Sequence, residues 1–231
     1  MMTSKTPDFS KVYSLANEIL VATKSIETFP FSMKAVIKEF SDAQVCSYSK
    51  AIKKYHVPIT DFGSDSAHLE EYCGANIIFY NDKENKARLR FDLAHEFGHL
   101  MLGHKMNLSK DDPLYSVQEI ETNCFAAQLL MPEQLLRECG NRGYIMSAAY
   151  IMQSFGVSNM ASEKRRKTLA KTNYEWRNRS EKMYDDIIIE RNKTFLDAIA
   201  PVNFKDNSNY FWEDEYERQR ERNSWFSMRG R

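Results

Sequence analysis

The sequence predicts an α+β fold: a short β-sheet confined to residues up to 91, then a chain that is mostly helical. Two observations carry this. Asn76, Ile77, Ile78, Phe79 and Tyr80 form a β-branched and aromatic run that suits a pleated, half-buried surface. From Asp92 onward, helix-length segments are set off by Pro132, Gly140, Gly143 and Gly156, residues that start or stop helices.

Taken in order, Val12, Leu15, Ala16, Ile19 and Leu20 recur at helical spacing, so residues 8–24 read as an amphipathic helix. Pro30 breaks it, and a second helical stretch covers 32–40. Residues 44–52 read as a strand, followed by a loop around Pro58 and Gly63. The segment 69–91 reads as a strand pair: 76–80, a turn at Asn81 and Asp82, and the alternating residues Arg88, Leu89, Arg90 and Phe91. Helices are expected at 92–104, 117–131, 132–139, 147–155 and 159–171. Residues 180–199 can form another, and 213–231 read as a charged, loosely held tail. The expected divisions are an N-terminal helix (1–30), a core (31–140), a helix-turn-helix-like extension (141–172) and a charged aromatic segment (173–231).

Charge narrows little, because 32 basic residues balance 32 acidic ones across 231 positions. Cys46, Cys73, Cys124 and Cys139 form no CxxC pair or regular framework, and in a chain this apolar they read as reduced core thiols. The N-terminus lacks the apolar run of a secretory signal, and no apolar stretch is long enough to span a bilayer. The expectation is a cytoplasmic protein with no membrane partner.

The informative segment is DLAHEFGHLMLGH at 92–104, which contains HExxH as His95, Glu96 and His99. On a helix, residues four apart face the same way, about 40° apart around the axis. Two imidazoles so placed can bind one Zn2+. Glu96 then lies beside the metal without ligating it, positioned to take a proton from water as a catalytic base. Leu93, Phe97, Leu100 and Met101 make the other side of the helix apolar, as expected of a buried element that turns its polar groups inward. His104 extrapolates to about 180° from His95 on the same helix. It reads as a packing residue or as a histidine at the helix C-terminus.

A catalytic zinc takes three protein ligands and leaves one position open. Glu119 is the preferred third candidate over Glu121, which lies about 200° away on that helix. Asn123, one turn after Glu119, can accept an N–H from a ligand histidine. Tyr144, Tyr150 and Arg88 are conceivable donors to a developing oxyanion, and the sequence selects none of them.

These residues resemble the ImmA/IrrE family of metallopeptidases. The likeness rests on RFDLAHEFGHLMLGH at 90–104, the strand IIFYN at 77–81 before it, and the second signature at 119–132 that runs from Glu119 through Asn123 to Pro132. Phe155, Gly156, Val157 and Ser158, followed by a basic helix, fit the family's usual continuation. The likeness covers about residues 30–170. It implies a small zinc-peptidase core with a short sheet, in which His95, His99 and Glu119 hold Zn2+ and Glu96 is the base. It also implies a protein substrate, since some members cleave helix-turn-helix repressors of prophages or mobile elements. Thr122 stands where the family commonly has alanine, and the last sixty residues match no family pattern.

Two other readings compete. Residues 148–158 resemble the first helix and turn of a helix-turn-helix, and Lys164, Arg165, Arg166 and Lys167 follow, so nucleic acid is a less favoured partner. The second is a protein-binding regulator that keeps the peptidase fold without turnover. The intact Glu96 argues against it. Trp212, Tyr216, Trp225 and Phe226 either complete a core or dock a partner.

Overall fold

The computed structural model describes residues 6–58, 66–72, 74–172 and 179–202. Asp8 caps the first helix, α1 (Phe9–Ala22), its carboxylate accepting the Lys11 backbone N–H at 3.0 Å. The apolar stripe of α1 buries Val12, Ala16, Ile19 and Leu20, and α2 (Met33–Phe40) buries Met33, Val36 and Ile37.

The expected strand at 44–52 is right for its first part only. Residues Gln44–Ser47 form β1, after which Ser47 turns the chain into α3 (Tyr48–Tyr55) by accepting the Lys50 N–H on its hydroxyl at 3.2 Å. A serine N-cap followed by good helix formers decides the switch.

The strand pair also differs from the expectation. The run at 76–80 lies within β3 (Ala75–Tyr80), and its antiparallel partner is the upstream β2 (Ala67–Tyr72), with Leu69 opposite Ile78. On its other side β3 pairs in parallel with β1, Gln44 opposite Ile77, giving the order β1-β3-β2. Arg88 to Phe91 are helical, in α4 (Lys86–Leu102). Asn85 caps that helix by accepting the Ala87 N–H at 2.9 Å. A four-residue alternation is too short to outweigh a cap followed by strong helix formers.

The remaining elements are helical, as expected: α5 (Pro113–Leu130), α6 (Glu133–Asn141), α7 (Ala148–Phe155) and α8 (Asn159–Leu169). Helix α5 starts four residues before the expected 117, because Asp112 caps it and Pro113 suits its first turn. The expected helix at 180–199 is divided into α9 (Arg179–Lys182), α10 (Asp185–Arg191) and α11 (Lys193–Ile199). Residues 213–231, with Trp212, lie outside the described residues.

One buried cluster draws on α1, α2, the sheet, α4 to α7, α10 and α11. The last of these helices seals it: Phe195 packs at a tilt on Phe29 and edge-on against Phe155, at centroid distances of 5.2 and 5.4 Å. Arg142 adds an ion pair to Asp197 at 2.8 Å. Two contacts fix how α4 and α5 cross. Phe97 of α4 packs edge-on against Phe125 of α5, with centroids 6.0 Å apart. Beside them Gly98 lets the helices close up, since a Cβ there would stand 2.9 Å from the Phe125 ring. This crossing brings the middle of α5 against the middle of α4.

Candidate metal centre

Helix α4 carries His95 and His99 one turn apart, and α5 carries Glu119 across the crossing from them. The Nε2 atoms of the two imidazoles are 3.2 Å apart. Glu119 Oε2 is 3.6 Å from His95 Nε2, and Glu119 Oε1 is 3.4 Å from His99 Nε2. Ligand atoms of all three lie within 4.8 Å of one another, and no other such group of histidine, cysteine or acidic side chains occurs among the described residues. Two imidazole nitrogens and a carboxylate oxygen, mostly buried and aimed at one point, match the donor chemistry of a divalent metal site. Packing hydrophobic side chains does not require such convergence. The structure thus brings Glu119 to the histidines and leaves Glu121 outside the group.

Glu96 lies beside the cluster and is largely buried. Its Oε2 accepts the Leu69 N–H from β2 at 2.8 Å. Burial pushes its carboxyl up to about 7, and Glu119 and Asp92 push the same way, while His99 and the Leu69 N–H oppose them. Glu119 is held well below the ordinary carboxylate range, chiefly by the imidazoles of His95 and His99 beside it. Two neighbouring carboxyls thus have opposite tendencies: one readily gives and takes a proton near neutrality, the other stays charged.

This divergence has a consequence for stability. A carboxyl raised from 4.5 to about 7 stabilises the fold below pH 4.5, and that contribution is lost as pH rises through 7. In metal-free protein the stability of Glu96→Gln relative to wild type should therefore rise between pH 4 and pH 8, by about 3 kcal/mol. Urea denaturation in the presence of a chelator measures it. A difference that does not vary with pH would refute the assignment.

Other sequence expectations fare differently. Asn123 donates its side-chain amide to the Glu119 carbonyl of its own helix, instead of accepting from a histidine. Its place one turn along α5 lets it reach that carbonyl directly. Tyr144 and Tyr150 donate to the carbonyls of Pro201 and Ile199, and Arg88 lies beside Glu84 and Asp92. Those two tyrosines secure the end of α11 and the chain just beyond it. Tyr115, which sequence reasoning passed over, stands one turn before Glu119. Its phenol is raised by desolvation first and then by the charges of Glu119 and Glu96. Thr122, the departure from the family's alanine, sets its hydroxyl 3.3 Å from His95 Nε2.

His104 departs furthest from its expected place. Helix α4 ends at Gly103, whose φ of 68° is the left-handed conformation that favours glycine. The chain reverses there, and the ring returns to His99 instead of continuing around the helix. His104 Nδ1 is 3.1 Å from His99 Nδ1, and its Nε2 is 3.0 Å from Glu121 Oε2. Burial first and His99 second push this imidazole down to about 4.

The basic stretch on α8, the second helix of the helix-turn-helix-like pair, is not a uniform cationic face. Arg165 is buried, and it donates to the Met131 carbonyl, Gln128 and the Tyr13 hydroxyl. Arg166 and Lys167 both lie beside Glu163, at 3.4 and 3.9 Å. The arrangement favours helix packing over phosphate binding. No helix among the described residues is long and apolar enough to cross a membrane.

The family model described as the IrrE N-terminal-like domain, Peptidase_M78, matches residues 52–167. That span contains β2, β3 and every side chain of the cluster. No curated protein matches the chain.

Proposed function

The chain belongs to the ImmA/IrrE family of peptidases, and from that premise we propose that it is a zinc-dependent endopeptidase acting on a protein substrate. The observation that carries the reading is the convergence of His95, His99 and Glu119 on one point, with buried Glu96 beside it. In this reading those three residues hold Zn2+. The ion supplies Lewis acidity, polarising the scissile carbonyl and making water a better nucleophile near neutral pH.

The chain's own groups account for the proton movements. Glu96, with a carboxyl poised near 7, takes a proton from the attacking water and returns it to the leaving amine. The Leu69 N–H steadies one oxygen of Glu96 and leaves the other to handle the proton. Tyr115 is the proposed donor to the substrate carbonyl oxygen as negative charge develops on it. Its raised value keeps the phenolic proton in place near neutrality. β2 is an edge strand of the described sheet, and its Leu69 N–H is directed to Glu96. An extended peptide adding to that edge would pass alongside the catalytic groups.

The proposed substrate is a helix-turn-helix transcriptional repressor of a prophage or mobile element, the substrate class implied by the resemblance of the two motifs to this family. A repressor encoded beside this gene is the one to test. Incubated with zinc-loaded protein, it should be cut at a defined bond that mass spectrometry can assign. Removing the metal with a chelator should stop cleavage, and restoring zinc should revive it. Cleavage that continues undiminished after metal removal would contradict the reading.

A further inference from the structure

Behind His99 runs a chain of hydrogen bonds in which each partner dictates the next. Glu121 accepts the Asp8 backbone N–H on Oε1 at 2.7 Å, and its Oε2 faces His104 Nε2 at 3.0 Å. A carboxylate only accepts, so His104 must carry its proton on Nε2. Its Nδ1 is then a lone pair. That lone pair faces His99 Nδ1 at 3.1 Å, so the hydrogen between the two rings belongs to His99. A His99 ring with its one proton on Nδ1 has a lone pair on Nε2. This is the atom that stands 3.2 Å from His95 Nε2 and 3.4 Å from Glu119 Oε1.

We infer that His104 and Glu121 are positioning residues that act through His99, locking its Nδ1–H tautomer so that Nε2 presents a lone pair to a divalent metal ion. The inference rests on the proposed metal site.

Two features separate this arrangement from incidental packing. The side chains of His104 and Glu121 are only 7% and 14% exposed, so the pair is sheltered from the water that makes surface ion pairs weak. The relay is also anchored at both ends. Gly103 reverses the chain to deliver His104, and the start of α1 clamps Glu121 through Asp8 while Lys11 donates to the Leu102 carbonyl at 3.1 Å. Fixing a ligand histidine by a partner on its other ring nitrogen sets both its orientation and its tautomer.

Two variants and two readouts test it. His104→Phe keeps a ring and loses the acceptor, whereas His104→Asn puts an amide oxygen where Nδ1 stands. Zinc affinity, measured by competition with a chromophoric chelator, should fall about 10–100-fold in His104→Phe. It should recover most of that loss in His104→Asn. Equal losses in both variants, or none in either, would overturn the inference. In wild-type protein without metal, long-range proton–nitrogen correlation should find His99 as the Nδ1–H tautomer. Finding it protonated on Nε2 alone would overturn the relay whether or not the variants fold. A wild-type protein that takes up no zinc would instead sink the metal-site reading, leaving the tautomer of His99 to decide the relay by itself.

Discussion

Replacing Glu96 with glutamine is expected to slow peptide hydrolysis by about 10²–10⁴-fold while bound metal is retained. The amide has nearly the shape of the carboxyl and can still accept the Leu69 N–H, which reaches Glu96 at 2.8 Å. None of the three converging ligand atoms is altered. What disappears is a group whose proton affinity is set close to neutrality by burial. The loss should therefore appear in turnover and not in metal content, read by repressor cleavage and by elemental analysis of the same preparation. Cleavage at the wild-type rate would remove Glu96 from the mechanism. The buried charge that would serve catalysis also opposes folding above pH 7, a trade between activity and stability that is common at catalytic sites.

Replacing Glu119 with alanine is expected to strip the metal. Without it, two imidazoles with Nε2 atoms 3.2 Å apart remain, one short of the three protein ligands a catalytic zinc takes and with no anionic donor among them. The fall in zinc affinity should exceed the roughly 10–100-fold that loss of an outer partner produces. Chelator competition measures this directly, and stoichiometric zinc bound at wild-type affinity would exclude Glu119 as a ligand. Far-ultraviolet circular dichroism should change little. The Glu119 side chain lies at the edge of the core, 32% exposed, and the α4–α5 crossing is held by Phe97, Phe125 and the close approach at Gly98.

Much of the site was legible because it follows helical periodicity. His95 and His99 are four apart on one helix, Glu119 sits on a second, and the choice of Glu119 over Glu121 came from the angle between them around the axis. The failures lie where periodicity stops. Helical periodicity does not reach His104, because α4 ends at Gly103 and this left-handed residue returns the ring to His99. Spacing alone points Asn123 at a histidine, but its amide takes a backbone carbonyl one turn away. The hydroxyls of Tyr144 and Tyr150 are taken by carbonyls at the end of α11 and just beyond it, contacts that no spacing announces.

In the fold, the helices were readable from apolar spacing and from their stops. The strands were harder to place. The Arg88–Phe91 alternation lost to the Asn85 cap, and the true partner of β3 lay upstream in a polar segment, His68, Leu69, Glu70 and Glu71, whose pairing no local signal announces. Serine and aspartate caps at Ser47 and Asp112 were the signals that would have corrected the boundaries of α3 and α5.

The most direct measurement is anomalous diffraction at the zinc edge from crystals of the zinc-loaded protein. One strong peak is expected about 2.0–2.2 Å from His95 Nε2, His99 Nε2 and an oxygen of Glu119, with solvent in the remaining position. Zinc bound at full occupancy somewhere else, with that convergence point empty, would contradict it.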